Sequence, residues 1–592
     1  MPEQAYMTLV GGAMPADTER VTKKLPDKKI LTRKLRAMYE ARRDFEDRWK
    51  EIRDYQLPYI GEFDNTADKT NPARRRDLEI AMNVAWHSAE IFAAGIMSGL
   101  TPPSRQWFRF GFKRPELNSN VEAMKVADQR QEIVSYVLAK SNFYPAIHSC
   151  YFELPFGQAP LGIFYDPKNG VRFQAMTIGT YALASDGFGK VTTFARKYEM
   201  TLSQLIECFG KEALPENLKH ISETNGTTTK KYTVNWLVMP NNDQLPGYMD
   251  NLNMPFISAY WLDKSGPNEY LYVGGFEEEA IPVARYQVTG LQPYAQGPGW
   301  FAIGDAKALQ VLKRDQLSAI ELMVKPPMKG PATLMGTGGI NLVPGGMTVV
   351  NDQMTNQMVT PTFNVNADLN GIQAEIASVS DSIKRSYSAD LFMMMEGIPD
   401  TKRMTAREVM ERTNEKLQQL GPVVERLQAE FLNVIIQRVY NILDRAGAFP
   451  PVSDELADVL NEEDLEVDYI SPLAQAQKMG GLVNIEQMLA QVGQMAQIWP
   501  EVTMKVDPIA TVGKYAEMLG APAIMLRSDE AVQEMMAAQQ EQAAQQEEMQ
   551  QQMAMAQGVA APMADAAKNL TAAANDANPA LTSWMGIPGG WD

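Results

Sequence analysis

Three long segments between residues 304 and 445 carry apolar residues at helical spacing. The segments are 304–324, 368–395 and 405–445, and their apolar residues recur every three to four positions, which places them on one helical face. At about 1.5 Å per residue, 368–395 predicts a helix about 40 Å long. We expect neighbouring copies of the chain to cover faces of this length, because one subunit cannot bury them. The marker residues are Leu309, Leu312, Ile320 and Val324, then Ile372, Ile376, Val379, Ile383, Tyr387 and Leu391, then Val409, Leu417, Leu420, Val424, Leu427, Phe431, Ile435 and Ile442.

Turn and cap residues separate the three predicted helices. Pro326–Pro327 ends the first helix, and the run Gly397–Asp400 separates the second from the third. Thr405 and Glu408 have the spacing of a capping box, which predicts the start of the third helix. Pro422 lies inside that helix and predicts a kink, because proline removes one helical hydrogen bond.

The stretch AGIMSGLTPPSRQWFRF at residues 94–110 could be a phosphate-binding loop or the end of a helix. A phosphate loop needs a series of free backbone N–H groups, and Pro102 and Pro103 each remove one. Gly95 and Gly99 fit a helix that packs closely against a neighbour. We therefore predict a helix that ends at the prolines, followed by a strand from Trp107. The chain contains no GxxxxGK[ST] motif, so it is not an ATP-driven motor.

The part from 160 to 300 is predicted to be rich in β-strands. Asp166–Gly170 and Asp186–Gly189 are hairpin signals between alternating segments. Helices are predicted before this part, at 30–57, 78–100 and 120–141, and a short helix lies within it near 201–209. Helices are also predicted near 472–497 and 508–519. The fold class predicted from these patterns is α+β, mainly α.

Charge and composition argue against several functional classes. The net charge of −17 over 592 residues argues against a broadly basic nucleic-acid binder. Cys150 and Cys208 are the only cysteines, and the three histidines have no zinc-ligand spacing. No catalytic, metal or cofactor site is predicted. The sequence shows no secretory signal and no apolar run of about 18 residues, so no membrane partner is expected.

An enzyme is the main competing interpretation. His148 and Cys150 could in principle act as base and nucleophile, although two residues in one helical turn rarely align for this chemistry. The run Glu277–Glu279 offers neighbouring carboxylates, which we interpret as a solvated turn rather than a hydrolase site. A scaffold or other structural protein is the second alternative, but a scaffold would be mostly helical.

Several blocks resemble, in order, the head-to-tail connecting (portal) proteins of short-tailed bacteriophages. The resemblance covers roughly residues 30–530, and the blocks at 99–110 and 405–443 are the most specific. The matching segments are GLTPPSRQWFRF (99–110), GPGWFAIGDAKALQVLKRDQLSAIELMVKPP (297–327), LVPGGMTVV (342–350), DSIKRSYSADLFMMM (381–395), TAREVMERTNEKLQQLGPVVERLQAEFLNVIIQRVYNIL (405–443) and SPLAQAQK (471–478).

The resemblance implies a portal architecture with a β-rich wing, a helical stem, a small clip and a C-terminal helical crown and barrel. The implied boundaries are wing 1–300 with its β-rich part at 160–300, first stem helix 301–325, clip 326–365, second stem helix 366–396, tunnel loop 397–404, long kinked wing helix 405–446, crown 447–528, barrel helix 529–557 and flexible tail 558–592.

The resemblance also implies the function and the partners. A homo-oligomeric ring of twelve copies is expected at one vertex of the virion capsid, assembled in the host cytoplasm. Double-stranded DNA would pass through its channel without sequence specificity, during both packaging and ejection. The implied protein partners are the terminase, tail and adaptor proteins, capsid or scaffold proteins, and internal core proteins that meet the barrel helix.

Two groups of residues are candidates for contacts in this architecture. Gly397, Asp400, Lys402 and Arg403 are nominated for the tunnel loop, where Lys402 and Arg403 could guide phosphates or instead pair with nearby carboxylates. Asn341, Leu342 and Val343 are nominated for partner contacts of the clip.

Overall fold

The structure is a computed structural model, and most of its helices and strands lie before residue 446. The residues that it describes are 25–63, 79–114, 121–225, 230–244, 251–266, 269–326, 328–329, 360–361, 367–395, 420–451, 465–470 and 488–495, with single positions at 499, 506, 511, 535 and 538.

The described chain mixes α-helices with antiparallel sheets, as the sequence predicted at the level of fold class. The α-helices are α1 (Lys28–Tyr55), α2 (Val84–Leu100), α3 (Val121–Lys140), α4 (Phe143–Glu153), α5 (Leu202–Phe209), α6 (Glu216–Asn225), α7 (Pro298–Val324), α8 (Leu369–Ser386), α9 (Ala389–Met395) and α10 (Asn433–Arg445). The strands are β1 (Phe108–Phe112), β2 (Gln158–Asp166), β3 (Gly170–Ala175), β4 (Tyr181–Ser185), β5 (Val191–Thr201), β6 (Lys231–Pro240), β7 (Phe256–Leu262), β8 (Tyr272–Phe276), β9 (Val283–Arg285), β10 (Met328–Lys329), β11 (Thr360–Pro361) and β12 (Leu465–Tyr469).

A five-stranded antiparallel sheet, in the order β4-β5-β6-β7-β8, forms the centre of the β-rich part. The N-terminal half of α1 covers one face of this sheet, and Leu31, Leu35 and Met38 are buried against it. The sheet supplies mainly small side chains with Trp261 among them, so the helix can approach closely. The opposite side of α1 faces solvent, which is the arrangement that its helical apolar spacing predicts.

Both predicted hairpin turns are confirmed. Asp166–Gly170 joins β2 to β3, and Gly170 has a φ of 81°, which favours glycine. Asp186–Gly189 joins β4 to β5, where the Asp186 carboxylate accepts hydrogen bonds from the amides of Phe188 and Lys190. The short helix predicted near 201–209 is α5, which begins with a capping box formed by Thr201 and Gln204.

The stretch around residues 94–110 is the end of a helix, as predicted. Helix α2 ends at Leu100, the two prolines follow, and β1 begins at Phe108. Gly95 faces the ring of Phe392 so closely that a side-chain carbon at position 95 would overlap it. The glycine therefore serves helix packing, and the segment shows no feature of a phosphate loop.

Strand β1 pairs with β12, a strand from a distant part of the chain. The pairing is antiparallel and aligns Phe108 with Tyr469 and Phe112 with Leu465. Trp107 extends this contact, because its ring stacks on the ring of Tyr469 at a centroid distance of 6.4 Å. No local sequence signal predicts this partner.

The segment 368–395 does not form the single helix that its spacing predicted. Helix α8 ends at Ser386 and α9 begins at Ala389, and Ser388 between them has a φ of 52°. Tyr387 on one side of the break and Phe392 on the other are both buried. Tertiary contacts hold this left-handed turn, whereas the apolar spacing continues across it and gave no sign of a break.

The described part of the third long segment is helical from residue 420, and α10 ends at Arg445, close to the predicted end. Its irregular stretch is a π-helical turn at Leu427–Leu432. The kink expected at Pro422 stays a prediction. Thr405 and Glu408, which form the predicted cap, lie outside the described residues.

The chain divides by internal contacts into two units, residues 1–113 with 126–494 and residues 114–125 with 495–592. The architecture above belongs to the first unit, apart from the first five residues of α3. Of the helix predicted near 472–497, residues 488–495 are described and are helical. Within the part of the chain that the structure describes, no helix is both long and apolar enough to span a bilayer.

Candidate subunit interface

Helices α7 and α8 form an antiparallel hairpin, which is the element best suited to contact further copies. Ser382 near the end of α8 donates a hydrogen bond of 2.6 Å to the carboxylate of Asp305 near the start of α7. Beyond the other end of α7, Met328 and Lys329 pair with Pro361 and Thr360 in a two-residue ladder. Strand pairing therefore joins the two arms beyond the end of α7, inside the segment 326–365.

A buried hydrogen-bonded group fixes the base of the hairpin. The Gln56 side chain, 1% exposed, donates from Nε2 to the carbonyl oxygen of Gly299 at 2.9 Å. The hydroxyl of Tyr387 donates to Oε1 of the same side chain at 2.5 Å. One glutamine at the end of α1 therefore joins the start of α7 to the end of α8.

A second buried glutamine secures the middle of α7. Gln310, also 1% exposed, accepts hydrogen bonds from the amides of Ala81 and Met82 at 2.7 and 2.9 Å. Its Nε2 donates to the Met82 carbonyl oxygen at 3.0 Å. Arg314 extends the contact by an ion pair with Glu79 at 2.7 Å. These bonds satisfy the backbone of residues 79–82, which precede α2.

Electrostatic contact also links α7 to α1. Lys307 lies 2.9 Å from the carboxylate of Glu51. The hydrogen bond from this ammonium group lowers the pKa of Glu51 below its ordinary value, because it favours the charged carboxylate. Both side chains are partly exposed, so the pair orients the helices more than it stabilises the fold.

The outer half of α7 presents apolar side chains that the single chain leaves uncovered. Val311 is 54% exposed, Leu317 is 52% exposed and Val324 is 71% exposed. Over residues 311–324, Gln316 alone is buried, whereas the first half of the helix buries most of its inner face. Leu317, Ile320, Met323 and Val324 fall within a sector of about 120° at about 100° per residue, whereas Val311 and Leu322 lie on the other side of the helix. We define these four residues as the α7 outer face. A contiguous apolar face of this kind is typical of a surface buried by another subunit.

The sequence marked only part of this surface. Leu309 and Val324 were assigned to one apolar face, but Leu309 is fully buried and Val324 is largely exposed. Leu317 was missed. Periodicity locates the apolar stripe, but it does not indicate where the cover provided by α8 ends.

Cys150 and His148, which were considered as a nucleophile and a base, lie on different faces of α4. Cys150 is buried on α4, and burial raises the pKa of its thiol well above the ordinary value. His148 is exposed on another face of the same helix, so the two do not form a nucleophile–base pair. Within the described ranges, no group of three or more His, Cys, Asp or Glu side chains could hold a metal ion.

The interpretation of Glu277–Glu279 as a solvated turn is wrong. Glu278 lies 3.2 Å from Arg438 and 2.7 Å from Arg445, both on α10. Glu277 also contacts Arg445, at 2.6 Å, and Glu279 lies 2.9 Å from Lys190. The three carboxylates are half-buried, and two of them fasten α10 to the β-rich part.

The nominated contact residues lie outside the described part of the chain. This applies to Gly397, Asp400, Lys402 and Arg403 of the expected tunnel loop. It applies equally to Asn341, Leu342 and Val343 of the expected clip. Their roles remain predictions.

Comparison with known proteins identifies the family. The sequence profile of the family described as bacteriophage head to tail connecting protein matches residues 28–526, which is most of the chain. The chain belongs to this family. The match includes α7, α8 and the β-rich part, so it covers the hairpin and its anchors.

Two curated phage portal proteins are similar to this chain over nearly the same length. The portal protein of Salmonella phage epsilon15 is 32% identical over 509 residues, 86% of this chain and 90% of that protein. The probable portal protein of Bordetella phage BPP-1 is 32% identical over 495 residues, 83% of this chain and 88% of that protein. The function of this connecting protein is that of a phage portal, which is a structural component of the virion.

Solved structures give a weaker likeness. The neck of an empty gene transfer agent particle aligns over 73% of this chain and 91% of its own chain, with a TM-score of 0.32 and 9% identity. A chain of the native gene transfer agent virion aligns over 68% and 94%, with a TM-score of 0.28 and 10% identity. These scores are too low to support an argument about the fold.

Proposed function

We propose that twelve copies of this chain form a closed ring at one capsid vertex, through which double-stranded DNA is packaged and later ejected. The observation that supports the ring best is the α7 outer face, whose apolar residues have no cover within the described part of one chain. A heterologous contact between identical subunits would cover this face. Repeated contacts of this kind close into a ring when the rotation between neighbouring subunits is a whole fraction of a full turn.

The proposed division of labour follows the family. Residues 1–300 and 405–446 form the wing, 301–325 and 366–396 the stem, 326–365 the clip and 397–404 the tunnel loop. We propose that 447–528 form the crown, with β12 tying it to the wing, and that 529–557 form a barrel helix. The hairpin of α7 and α8 and the ladder of β10 with β11 fit a stem that ends in a compact tip.

The ring acts on DNA through geometry and charge rather than through chemistry. Duplex DNA carries dense negative charge, and a wall that is acidic on balance limits adhesion of the moving duplex. The net charge of −17 supports such a wall. Lys402 and Arg403 in the tunnel loop would supply the few cations that guide phosphates.

The clip would dock the packaging terminase first and the tail or adaptor proteins later. Asn341, Leu342 and Val343 are the proposed contacts. Capsid or scaffold proteins would surround the ring in the host cell during assembly, and internal core proteins would meet the barrel helix.

Electron microscopy and light scattering of the purified full-length protein test the ring. The expected particle has a central channel and a mass near twelve times 65.9 kDa. A solitary 65.9 kDa particle under assembly conditions would contradict the proposal. The variant Lys402→Ala/Arg403→Ala tests the tunnel loop: rings should form, and DNA retention in a packaging assay should fall. Unchanged packaging would show that these two residues do not guide DNA in the proposed channel.

A further inference from the structure

Helix α1 carries an exposed row of cations on the side opposite its buried face. Lys29, Arg33, Arg36 and Arg43 are all exposed, while Leu31 on the inner side is 2% exposed. At about 100° per residue, the four cations fall within a sector of about 80°. They extend over about 21 Å along the helix axis, at about 1.5 Å per residue. We define these four residues as the α1 basic stripe.

The cations of the α1 basic stripe form no ion pair with a described carboxylate, although Glu40, Asp44 and Asp47 lie on the same side of the helix towards its C-terminal half. The remaining arginines of α1 are each paired, for example Arg48 with Glu51 and Arg53 with Asp54. No such ion pair joins a described carboxylate to any member of the stripe. Glu40 is the one acidic residue on the same side between Lys29 and Arg43.

This local charge contrasts with the chain as a whole. Residues 20–36 contain eight Lys and Arg residues and one acidic residue, Asp27, in a protein of net charge −17. Like charges on one helical face repel one another, so the stripe lowers the stability of α1 unless an anion neutralises it. A row of fixed cations over about 21 Å matches a polyanion better than a single small anion, because a duplex carries one negative charge per about 1.7 Å.

The position of the α1 basic stripe separates it from the α7–α8 hairpin. The C-terminal half of α1 contacts the base of the hairpin, where Glu51 pairs with Lys307 and Gln56 bonds to Gly299. The N-terminal half instead lies over the five-stranded sheet through Leu31 and Leu35. Along the helix, at about 1.5 Å per residue, Lys29 is about 33 Å from Glu51 and Arg43 is about 12 Å from it.

We propose that the α1 basic stripe binds the sugar–phosphate backbone of duplex DNA outside the channel, without sequence specificity. The choice of DNA as the polyanion rests on the proposed portal function, in which the virion interior holds the packaged genome. Arginine and lysine neutralise phosphates by charge and release condensed counterions. The remaining surface is acidic on balance and repels the duplex, so the α1 basic stripe determines where the duplex can approach the protein.

The test uses the full-length protein and a relaxed, covalently closed circular duplex. A closed circle has no end to pass through a ring, so channel occupancy does not contribute to its binding. The variant Arg33→Gln/Arg36→Gln removes two cations, and Lys168→Gln/Lys211→Gln removes two exposed cations elsewhere as the matched control. Binding is measured by filter retention at several salt concentrations, and melting curves confirm that both variants fold.

The wild-type protein and the control variant should bind the circle equally, within about twofold. The Arg33→Gln/Arg36→Gln variant should bind about tenfold more weakly, and the slope of log affinity against log salt should become shallower by about two. Equal loss in both variants would indicate a net-charge effect and overturn the proposal. So would absence of wild-type binding, or binding of an acidic polypeptide in preference to the duplex.

The ring is assessed separately in the same samples by light scattering. If the Arg33→Gln/Arg36→Gln variant forms intact rings and binds the circle with unchanged affinity, the DNA-binding role of the α1 basic stripe is wrong. The proposed portal ring would not be affected by that result. Absence of rings in the wild-type protein would remove the proposed function, while the comparison of the two variants would still report on the stripe.

Discussion

The guanidinium group of Arg438 is 2% exposed and donates from Nη1 to Oε1 of Glu278 at 3.2 Å. Its Nε also donates to the carbonyl oxygen of Ile163 at 3.0 Å, and its plane lies over the ring of Phe276 at 5.0 Å. A buried cation with this set of partners fixes α10 against β2 and β8. The carboxylate of Glu278 forms an ion pair with this buried cation.

Replacing Glu278 should therefore destabilise the β-rich part strongly. Glu278→Ala removes the carboxylate that pairs with the buried Arg438 and also removes the hydrogen bonds from Asn441 and Arg445, with an expected cost of about 3 kcal/mol. Glu277→Ala is the matched control, since among the described residues Glu277 accepts a side-chain hydrogen bond from Arg445 only, and the change should cost below about 1 kcal/mol. Thermal melting of both variants measures the difference. Equal shifts would show that Arg438 does not depend on Glu278.

Removal of one hydroxyl should loosen the base of the hairpin. Tyr387→Phe leaves Oε1 of the buried Gln56 without its donor, which costs about 1–3 kcal/mol of unfolding free energy. Tyr286→Phe is the control, because the Tyr286 hydroxyl makes no hydrogen bond to another described side chain or carbonyl. Chemical denaturation of the two variants compares them. A Tyr387→Phe protein as stable as the control would contradict the role assigned to Gln56.

Two glycines in helices should respond to alanine in opposite directions. Gly95→Ala places a methyl group against Phe392 and should lower stability by about 1–3 kcal/mol. An alanine methyl group at position 304 of α7 would have no other atom within 4 Å, so Gly304→Ala should raise stability by up to about 1 kcal/mol. Melting temperatures measure both changes. A stabilising Gly95→Ala would mean that α2 and α9 pack less closely than the structure indicates.

A charge on the α7 outer face should prevent assembly and leave the fold intact. Leu317→Asp buries a carboxylate in the proposed contact between copies, so particles much smaller than the wild-type ring are expected. Ser318→Asp, at the neighbouring exposed position, adds the same charge and should keep the ring. Light scattering reports particle mass and circular dichroism reports folding. Rings of normal mass with Leu317→Asp would exclude this face from the contact.

Glu153 should make stability fall as the pH rises. Its carboxylate accepts a hydrogen bond from the Ile178 amide at 2.8 Å, and desolvation raises its pKa from 4.5 to about 8, against the opposing effects of the Thr177 hydrogen bond and nearby Arg196. Between these two values the folded state holds a proton that the unfolded state has lost. Raising the pH therefore lowers the unfolding free energy of the wild type by up to about 1.4 kcal/mol per pH unit.

Glu153→Gln removes this titration while keeping an oxygen that can accept from Ile178. The stability difference between wild type and variant should thus change steadily from pH 5 to pH 8, with the variant gaining relative to the wild type. Denaturation at four pH values across this range measures the difference. A difference that does not change with pH would show that Glu153 titrates near its ordinary value.

The sequence by itself determined the elements whose causes are local. Asp166–Gly170 and Asp186–Gly189 form the predicted turns. In each turn an aspartate carboxylate and a glycine within four or five residues favour the reversal of the chain. The end of α2 at Leu100 follows from the missing N–H groups of Pro102 and Pro103, and the start of α5 follows from a capping box. The blocks shared with the connecting proteins also fixed the family, which the profile match confirmed.

Only the tertiary structure decided how distant segments meet. Arg438 bonds to Ile163 across 275 positions, and β1 finds its partner in β12, although neither has a local signal for the other. The break at Ser388 and the ion pairs of Glu277 and Glu278 have the same origin. Periodicity and turn chemistry act over a few residues, whereas burial, ion pairing and the exposed extent of α7 depend on which surfaces the folded chain brings together.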